Sequence, residues 1–191
     1  MNFIETYRII DTQLCDKIVE WFEENKELQE PGRSGSDSGV HLDIKESTDI
    51  TFSCPLAKDY ANYLHKFIEK YKKKYLYSTE GHSPWSIYPV VNIQRYLPGQ
   101  HYKRLHFEND GIGRAIRRHL VFMTYLNDIE DGGETLFYYQ DLKVKPQKGL
   151  TLIWPAGWTH THCGIVSNTQ TKYIVTGWIS YEPHEPFFII N

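Results

Sequence analysis

The chain has 191 residues, 15% of them aromatic with 14 tyrosines, which suits one domain with a sizeable, β-rich core. A formal net charge of -3 gives no global electrostatic case for nucleic-acid or membrane partners, and no apolar run approaches the length of a membrane span. Cys15, Cys54 and Cys163 are odd in number and lack metal-ligand spacing, and the first residues carry neither a basic nor an apolar targeting region, so a reduced, cytoplasmic protein is expected.

Residues 3–10 read as a strand. Asp11 can cap a helix reaching residue 25, in which Leu14, Ile18, Val19 and Phe22 form an apolar stripe suited to core packing. Residues 31–49 are rich in Gly, Ser and Asp, which predicts a surface loop. A second helix is expected over 55–75, with Pro55 at its start and Leu56, Tyr60, Tyr63, Leu64, Phe67, Ile68 and Tyr71 on one broad apolar side. Lys66, Lys70 and Lys72 to Lys74 load its C-terminal end, where cations meet the helix macrodipole favourably, so the run reads as a solvated helix end. After residue 85 the pattern changes to short β-rich runs at 86–96, 119–126, 135–139, 150–154 and 172–181, punctuated by Gly, Pro and Asn. The expectation is one domain over 1–191: helical N-terminal support (1–85), an antiparallel jelly-roll core (86–181) and a C-terminal tail (182–191).

The pair His106-x-Glu108 carries the first chemical signal. Residues two apart on a strand project to the same face and can grip one ion. With a further histidine from a distant strand, two neutral imidazoles and one carboxylate would leave adjacent coordination positions open, the arrangement of non-haem Fe(II) oxygenases. His160 and His162 share parity, so the residues alone leave either as the third ligand, whereas Cys163 has the opposite parity and reads as a packed thiol. On the last strand Lys172, Ile174, Thr176 and Trp178 share one face; a lysine turned into an apolar barrel is costly unless it meets an anion.

Around these residues stand Tyr96-Leu-Pro98-Gly99, Arg118-His-Leu-Val-Phe-Met-Thr-Tyr125, Gly132-Gly133-Glu134-Thr135 and Trp154-Pro155-Ala-Gly-Trp-Thr-His160-Thr-His162-Cys-Gly164. The ordered set resembles the prolyl 4-hydroxylase branch of the 2-oxoglutarate- and Fe(II)-dependent dioxygenases over about residues 90–181, and is most similar to bacterial and phage members. The resemblance implies a mainly β, double-stranded β-helix (jelly-roll, cupin-like) core with the N-terminal helices packed on one sheet. It implies His106, Glu108 and His162 as iron ligands, His162 being two before Gly164 and ten before Lys172, and it makes Lys172 the partner of the 2-oxoglutarate C5 carboxylate. Tyr96 and Tyr125 fall at family cosubstrate positions, Tyr102 and Trp178 near the substrate region, and residues 31–49 where related enzymes place a loop over the substrate. Glu108 departs from the usual aspartate, and a carboxylate at this position favours hydroxylation over halogenation. The implied cofactors are Fe(II), 2-oxoglutarate and O2, with ascorbate as reductant.

The implied activity is hydroxylation of peptidyl proline with release of succinate and CO2, so the expected partner is a protein or peptide containing proline. Two alternatives stand beside it: a hydroxylase of a free amino acid or other small molecule, and a non-catalytic jelly-roll binding module. Nucleobase demethylation is disfavoured, because that related group uses Arg where Lys172 stands.

Overall fold

A computed structural model describes residues 1–35, 39–80 and 84–181. The expected tail at 182–191 and residues 36–38 of the 31–49 segment lie outside the described residues. The described residues form eleven strands and two α-helices, joined by loops and short 3-10 turns. In chain order these are β1 (Glu5–Arg8), α1 (Gln13–Glu24), β2 (Glu30–Pro31), β3 (Thr48–Thr51), α2 (Leu56–Lys74), β4 (Trp85–Ile87), β5 (Asn92–Tyr96) and β6 (Arg118–Tyr125). There follow β7 (Thr135–Phe137), β8 (Leu142–Val144), β9 (Leu150–Pro155), β10 (His162–Gly164) and β11 (Lys172–Tyr181).

Both helices form where apolar residues recur at helical spacing. The α1 stripe buries Leu14, Cys15, Ile18 and Phe22, and α2 buries Tyr60, Leu64, Phe67, Ile68 and Tyr71. Helix α1 starts one residue later than predicted, with Thr12 at its N-cap, while the Asp11 carboxylate accepts from the Gln13 amide at 3.2 Å. At the far end of α2, Lys74 reaches Glu5 on β1 at 2.7 Å, and Tyr75 donates to the same carboxylate at 2.6 Å.

The major sheet has eight strands in the order β1-β9-β6-β11-β5-β3-β2, with β4 also paired to β11. A minor three-stranded sheet runs β10-β7-β8. All these pairings are antiparallel, and together they make the jelly roll. The region expected to be helical support therefore also supplies β1, β2 and β3 to the major sheet. The predicted strand over 86–96 is divided into β4 and β5, and the ends of the loop predicted at 31–49 are β2 and β3.

The central strands of the major sheet are buried on both faces, and successive side chains serve two cores. Leu120, Phe122, Ile153, Val175 and Ile179 pack toward α1 and α2, while Val121, Met123, Leu152, Trp154 and Ile174 pack with Phe137 on the other side. That double burial is why residues 120–123 read as an unbroken apolar run rather than an alternating one. Lys172, Ile174, Thr176 and Trp178 share the face opposite the helices and line a cleft of about 640 Å³.

Gly177 sits where β11 crosses the fully buried Phe122: a Cβ there would lie 2.6 Å from the ring. Gly177→Ala is expected to cost about 1–3 kcal/mol in overpacking, read as a lowered urea midpoint with unchanged slope.

Candidate metal centre

His106 lies outside the named strands. It forms an isolated antiparallel bridge with His162 on β10, the two residues exchanging backbone hydrogen bonds of 2.9 Å in both directions. Glu108 follows in a bend, where its own N–H and that of Asn109 both donate to the Ala156 carbonyl (3.0 and 2.9 Å). The same-strand parity expected for His106 and Glu108 is thus replaced by a bridge and a bend, which still bring the two side chains together. His106, Glu108 and His162 offer one ligand atom each, all within 4.8 Å of one another. The Glu108 Oε1 lies 3.5 Å from His106 Nε2 and 3.8 Å from His162 Nε2.

Hydrogen bonding behind each ring sets its tautomer. His106 Nδ1 donates to the Arg104 carbonyl (2.8 Å) and His162 Nδ1 to the His160 carbonyl (2.9 Å), so both Nε2 lone pairs face the carboxylate. The His106 ring is stacked on Tyr102 at 3.9 Å and 9°, and His162 meets the Trp154 edge at 5.1 Å. Burial, then the neighbouring His106, pushes the His162 imidazole down to about 3, which leaves it neutral at physiological pH. Burial works against charge on Glu108, but His106, His162 and Arg118 outweigh it and hold the carboxyl well below the usual carboxylate range. Two imidazole nitrogens and one carboxylate oxygen, each within 4.8 Å of the others, are a donor set that fits Fe(II).

His160 is separated from this group. It lies in the 3-10 turn Trp158–His160, where strand parity no longer applies, and both ring nitrogens are occupied. Nε2 donates to the Asn2 carbonyl at 2.8 Å and Nδ1 meets the Thr159 hydroxyl at 3.0 Å.

Lys172 stands in the same cleft, buried, with Nζ donating to the Gly133 carbonyl at 3.2 Å and lying 5.0 Å from the Tyr96 ring centroid. Burial pushes its ammonium down to about 8, against a smaller opposing pull from Glu134. The Gly133 carbonyl reaches it through the Gly132-Gly133 turn, both residues at φ 74°, where a Cβ on Gly132 would lie 2.2 Å from the Val166 oxygen. Tyr96 lines the cleft too, its hydroxyl donating to Gln94 at 2.8 Å.

Tyr125, expected at a cosubstrate position, is fully buried behind Thr135. Its hydroxyl contacts Thr135 Oγ1 (2.6 Å), accepts from the Thr135 amide (3.1 Å) and donates to the Val144 carbonyl (3.1 Å). It supports Thr135, which does line the cleft. Tyr102 and Trp178 also line it, with Trp178 Nε1 donating to Glu108 Oε2 at 2.8 Å.

Sequence reasoning missed a polar network on the cleft wall. The buried Lys45 pairs with Asp49 at 2.7 Å, and Asp49 also accepts from Ser47 (2.7 Å) and Gln94 (3.0 Å). Its only local trace is a Lys/Asp spacing of four in a segment that reads as loop, which carries no signal without the β3–β5 pairing.

Residues 91–180 match the family model of the 2OG-Fe(II) oxygenase superfamily. The matched segment, a little under half of the chain, contains His106, Glu108, His162 and Lys172. Members act with Fe(II), 2-oxoglutarate and O2. Prolyl 4-hydroxylase 13 of Arabidopsis thaliana is 27% identical over 129 residues, 53% of this chain and 46% of that protein. The probable prolyl 4-hydroxylase 9 of the same plant is 31% identical over 119 residues, 49% of this chain and 41% of that protein. The match thus spans less than half the length of either relative. The fold is that of a Pseudomonas putida prolyl-4-hydroxylase (TM-score 0.71, 16% identity, 94% of each chain covered). It is equally that of a Trichoplax adhaerens prolyl hydroxylase in complex with a hypoxia inducible factor peptide fragment (TM-score 0.73, 14% identity, 95% of this chain and 84% of that one). The viral collagen prolyl hydroxylase of Paramecium Bursaria Chlorella virus-1, as its 2OG complex, also aligns (TM-score 0.66, 18% identity, 95% and 97% covered).

The position of Tyr125 yields a separable outcome. Tyr125→Phe is expected to lower stability by about 1–3 kcal/mol in urea unfolding, by leaving the Thr135 amide without its acceptor. The dissociation constant for 2-oxoglutarate should stay within about twofold; a large loss of affinity without loss of stability would mark a direct contact.

Proposed function

We propose that the protein is an Fe(II)- and 2-oxoglutarate-dependent dioxygenase that hydroxylates an unactivated carbon, with peptidyl proline as its substrate. One observation carries the reading: His106 Nε2, His162 Nε2 and Glu108 Oε1 converge in a cleft that also holds the buried ammonium of Lys172. Once bound, Fe(II) with 2-oxoglutarate supplies the reactive oxygen chemistry, one atom of O2 going to the substrate carbon and the other to succinate as CO2 is lost.

The chain's own residues hold and orient. Two histidines, each oriented by its Nδ1 bond, and Glu108 would hold the metal. Lys172 binds the distal carboxylate of the cosubstrate, and the apolar wall of Val121, Met123 and Ile174 excludes water around it. The peptide substrate is supported by the two plant relatives and by the Trichoplax fold neighbour with its bound peptide. The cleft, about 640 Å³, is lined from several elements, with Leu28, Glu30, Tyr88 and Trp178 among its residues. A second reading, a free amino acid or other small molecule, draws on the Lys45–Asp49 pair, which offers both signs of charge within the cleft. The cytoplasmic setting belongs to the same proposal and rests on the cysteine usage; no described helix is long and apolar enough to cross a membrane.

The decisive assay is succinate release with Fe(II), ascorbate and 2-oxoglutarate, followed by mass detection of one added oxygen on proline peptides and, separately, on free amino acids. Oxygen added only to amino acids would replace the peptide reading with the second, and no 2-oxoglutarate turnover on any substrate would leave a binding module. His162→Ala should abolish turnover while His160→Ala retains most of it.

Lys172 provides a pH test. Only the protonated amine attracts a carboxylate, and burial sets its ionisation at about 8. Affinity for 2-oxoglutarate, by isothermal titration, should therefore be flat below that pH and weaken by about tenfold per unit above it. Lys172→Arg, which stays charged, should remove the inflection.

A further inference from the structure

We infer that Arg118 and Trp178 are positioning residues that adapt the centre to glutamate at 108, holding one carboxylate oxygen so that the other alone faces the imidazoles. The inference rests on the metal reading proposed above.

The two oxygens of Glu108 have different surroundings. Oε1 lies 3.5 and 3.8 Å from the two histidine Nε2 atoms. Oε2 accepts from Trp178 Nε1 at 2.8 Å and from an Arg118 guanidinium nitrogen at 3.2 Å. The same nitrogen donates to the Glu108 backbone carbonyl at 2.9 Å, so Arg118 ties both ends of the residue. The guanidinium carbon lies 3.7 Å from the Trp178 ring centroid, so the two donors also fix one another by stacking. Asn109 completes the arrangement by donating to the Arg118 carbonyl at 2.9 Å.

Strand alternation alone would turn Arg118 away from the cleft. Val121 and Met123 face it, so two-residue periodicity points 119 toward the cleft and 118 toward the helices. The ladder between β6 and β11 shifts here: Leu120 pairs with Ile179, but Ser180 pairs with Arg118, leaving His119 as the extra residue. This bulge inverts the parity. His119 turns outward to donate from Nε2 to the Ser78 carbonyl at 2.9 Å, and Arg118 lines the cleft.

The consequence is a length requirement. The backbone at 108 is held by the Ala156 carbonyl, so the distance the carboxylate must cover is set. A glutamate spans from that anchor to both the donors and the imidazoles. Aspartate, one methylene shorter, cannot satisfy both. A carboxylate released from Oε2 contacts is also free to bind a metal through both oxygens, occupying a position that the cosubstrate needs.

Metal binding tests this without turnover. Mn(II) affinity of the full chain, by isothermal titration and by loss of the free-ion electron paramagnetic resonance signal, is compared for the native protein, Trp178→Phe, Arg118→Gln, Arg118→Lys and Glu108→Asp. Trp178→Phe and Arg118→Gln should each weaken Mn(II) binding by about 10–100-fold with unchanged circular dichroism. Arg118→Lys should recover part of that loss, and Glu108→Asp should also bind more weakly than the native chain. In the Glu108→Asp background, Trp178→Phe should add less than about threefold, because the shorter side chain no longer reaches the indole. Mn(II) binding by Glu108→Asp equal to or tighter than native, or Trp178→Phe and Arg118→Gln both within twofold of native, would overturn the inference. If Trp178→Phe does not fold, the arginine pair and Glu108→Asp decide it alone. A native chain that binds no divalent metal would instead overturn the metal reading.

Discussion

The reciprocal backbone pair between His106 and His162 is the constraint on which the centre depends. Each residue gives its N–H to the other's carbonyl at 2.9 Å, which joins a segment outside the named strands to β10 of the minor sheet. The ring geometry then follows from repetition: each imidazole donates from Nδ1 to the carbonyl two residues before it, Arg104 in one case and His160 in the other. These bonds restrict ring rotation and so pre-organise the two histidines. The three candidate ligand atoms are thereby gathered within 4.8 Å of one another.

The pair is held in place by a sheet buried on both faces. One core, built with α1 and α2, occupies the back of β6, β9 and β11; the other face carries Trp154 and Phe137 against His162. A side chain on these strands therefore has no solvent-exposed alternative, and the period-two alternation becomes a sorting rule between helix core and cleft. Lys172, Thr176 and Trp178 are brought to the chemistry by their parity with Ile174.

How legible this was in the sequence depends on the range of the interaction. Helices α1 and α2 and strands β6, β9 and β11 carry their own periodicity, and all appeared close to their expected bounds. The paired histidines and Lys172 were visible through spacing within an ordered motif. What was not legible depends on registers set by distant partners. The two-residue strand β2 has no pattern of its own, and Lys45 and Asp49 acquire meaning only when β3 is laid on β5. The hydrogen bonds of the Tyr125 hydroxyl to Thr135 and Val144 likewise join residues that no local pattern pairs. Arg118 is the clearest case: alternation assigns it to the wrong face, and only a bulge against β11 corrects it.

The two buried lysines of the cleft show how charge separates a structural role from a receptive one. Lys45 meets the carboxylate of Asp49 at 2.7 Å, and that carboxylate is further satisfied by Ser47 and Gln94, so the pair is electrically closed and ties the segment before β3 to the sheet. Lys172 has a neutral carbonyl at 3.2 Å and an aromatic face at 5.0 Å, neither of which cancels its charge. The difference is visible in its lowered ionisation, for which burial is the leading cause. An ammonium kept this dry is stabilised by an incoming carboxylate far more than a solvated one would be, because water no longer competes. The sheet register that buries Lys172 opposite Tyr96 thus leaves one cation of the cleft closed in an ion pair and the other facing a neutral carbonyl and an aromatic ring, as the proposed cosubstrate role requires.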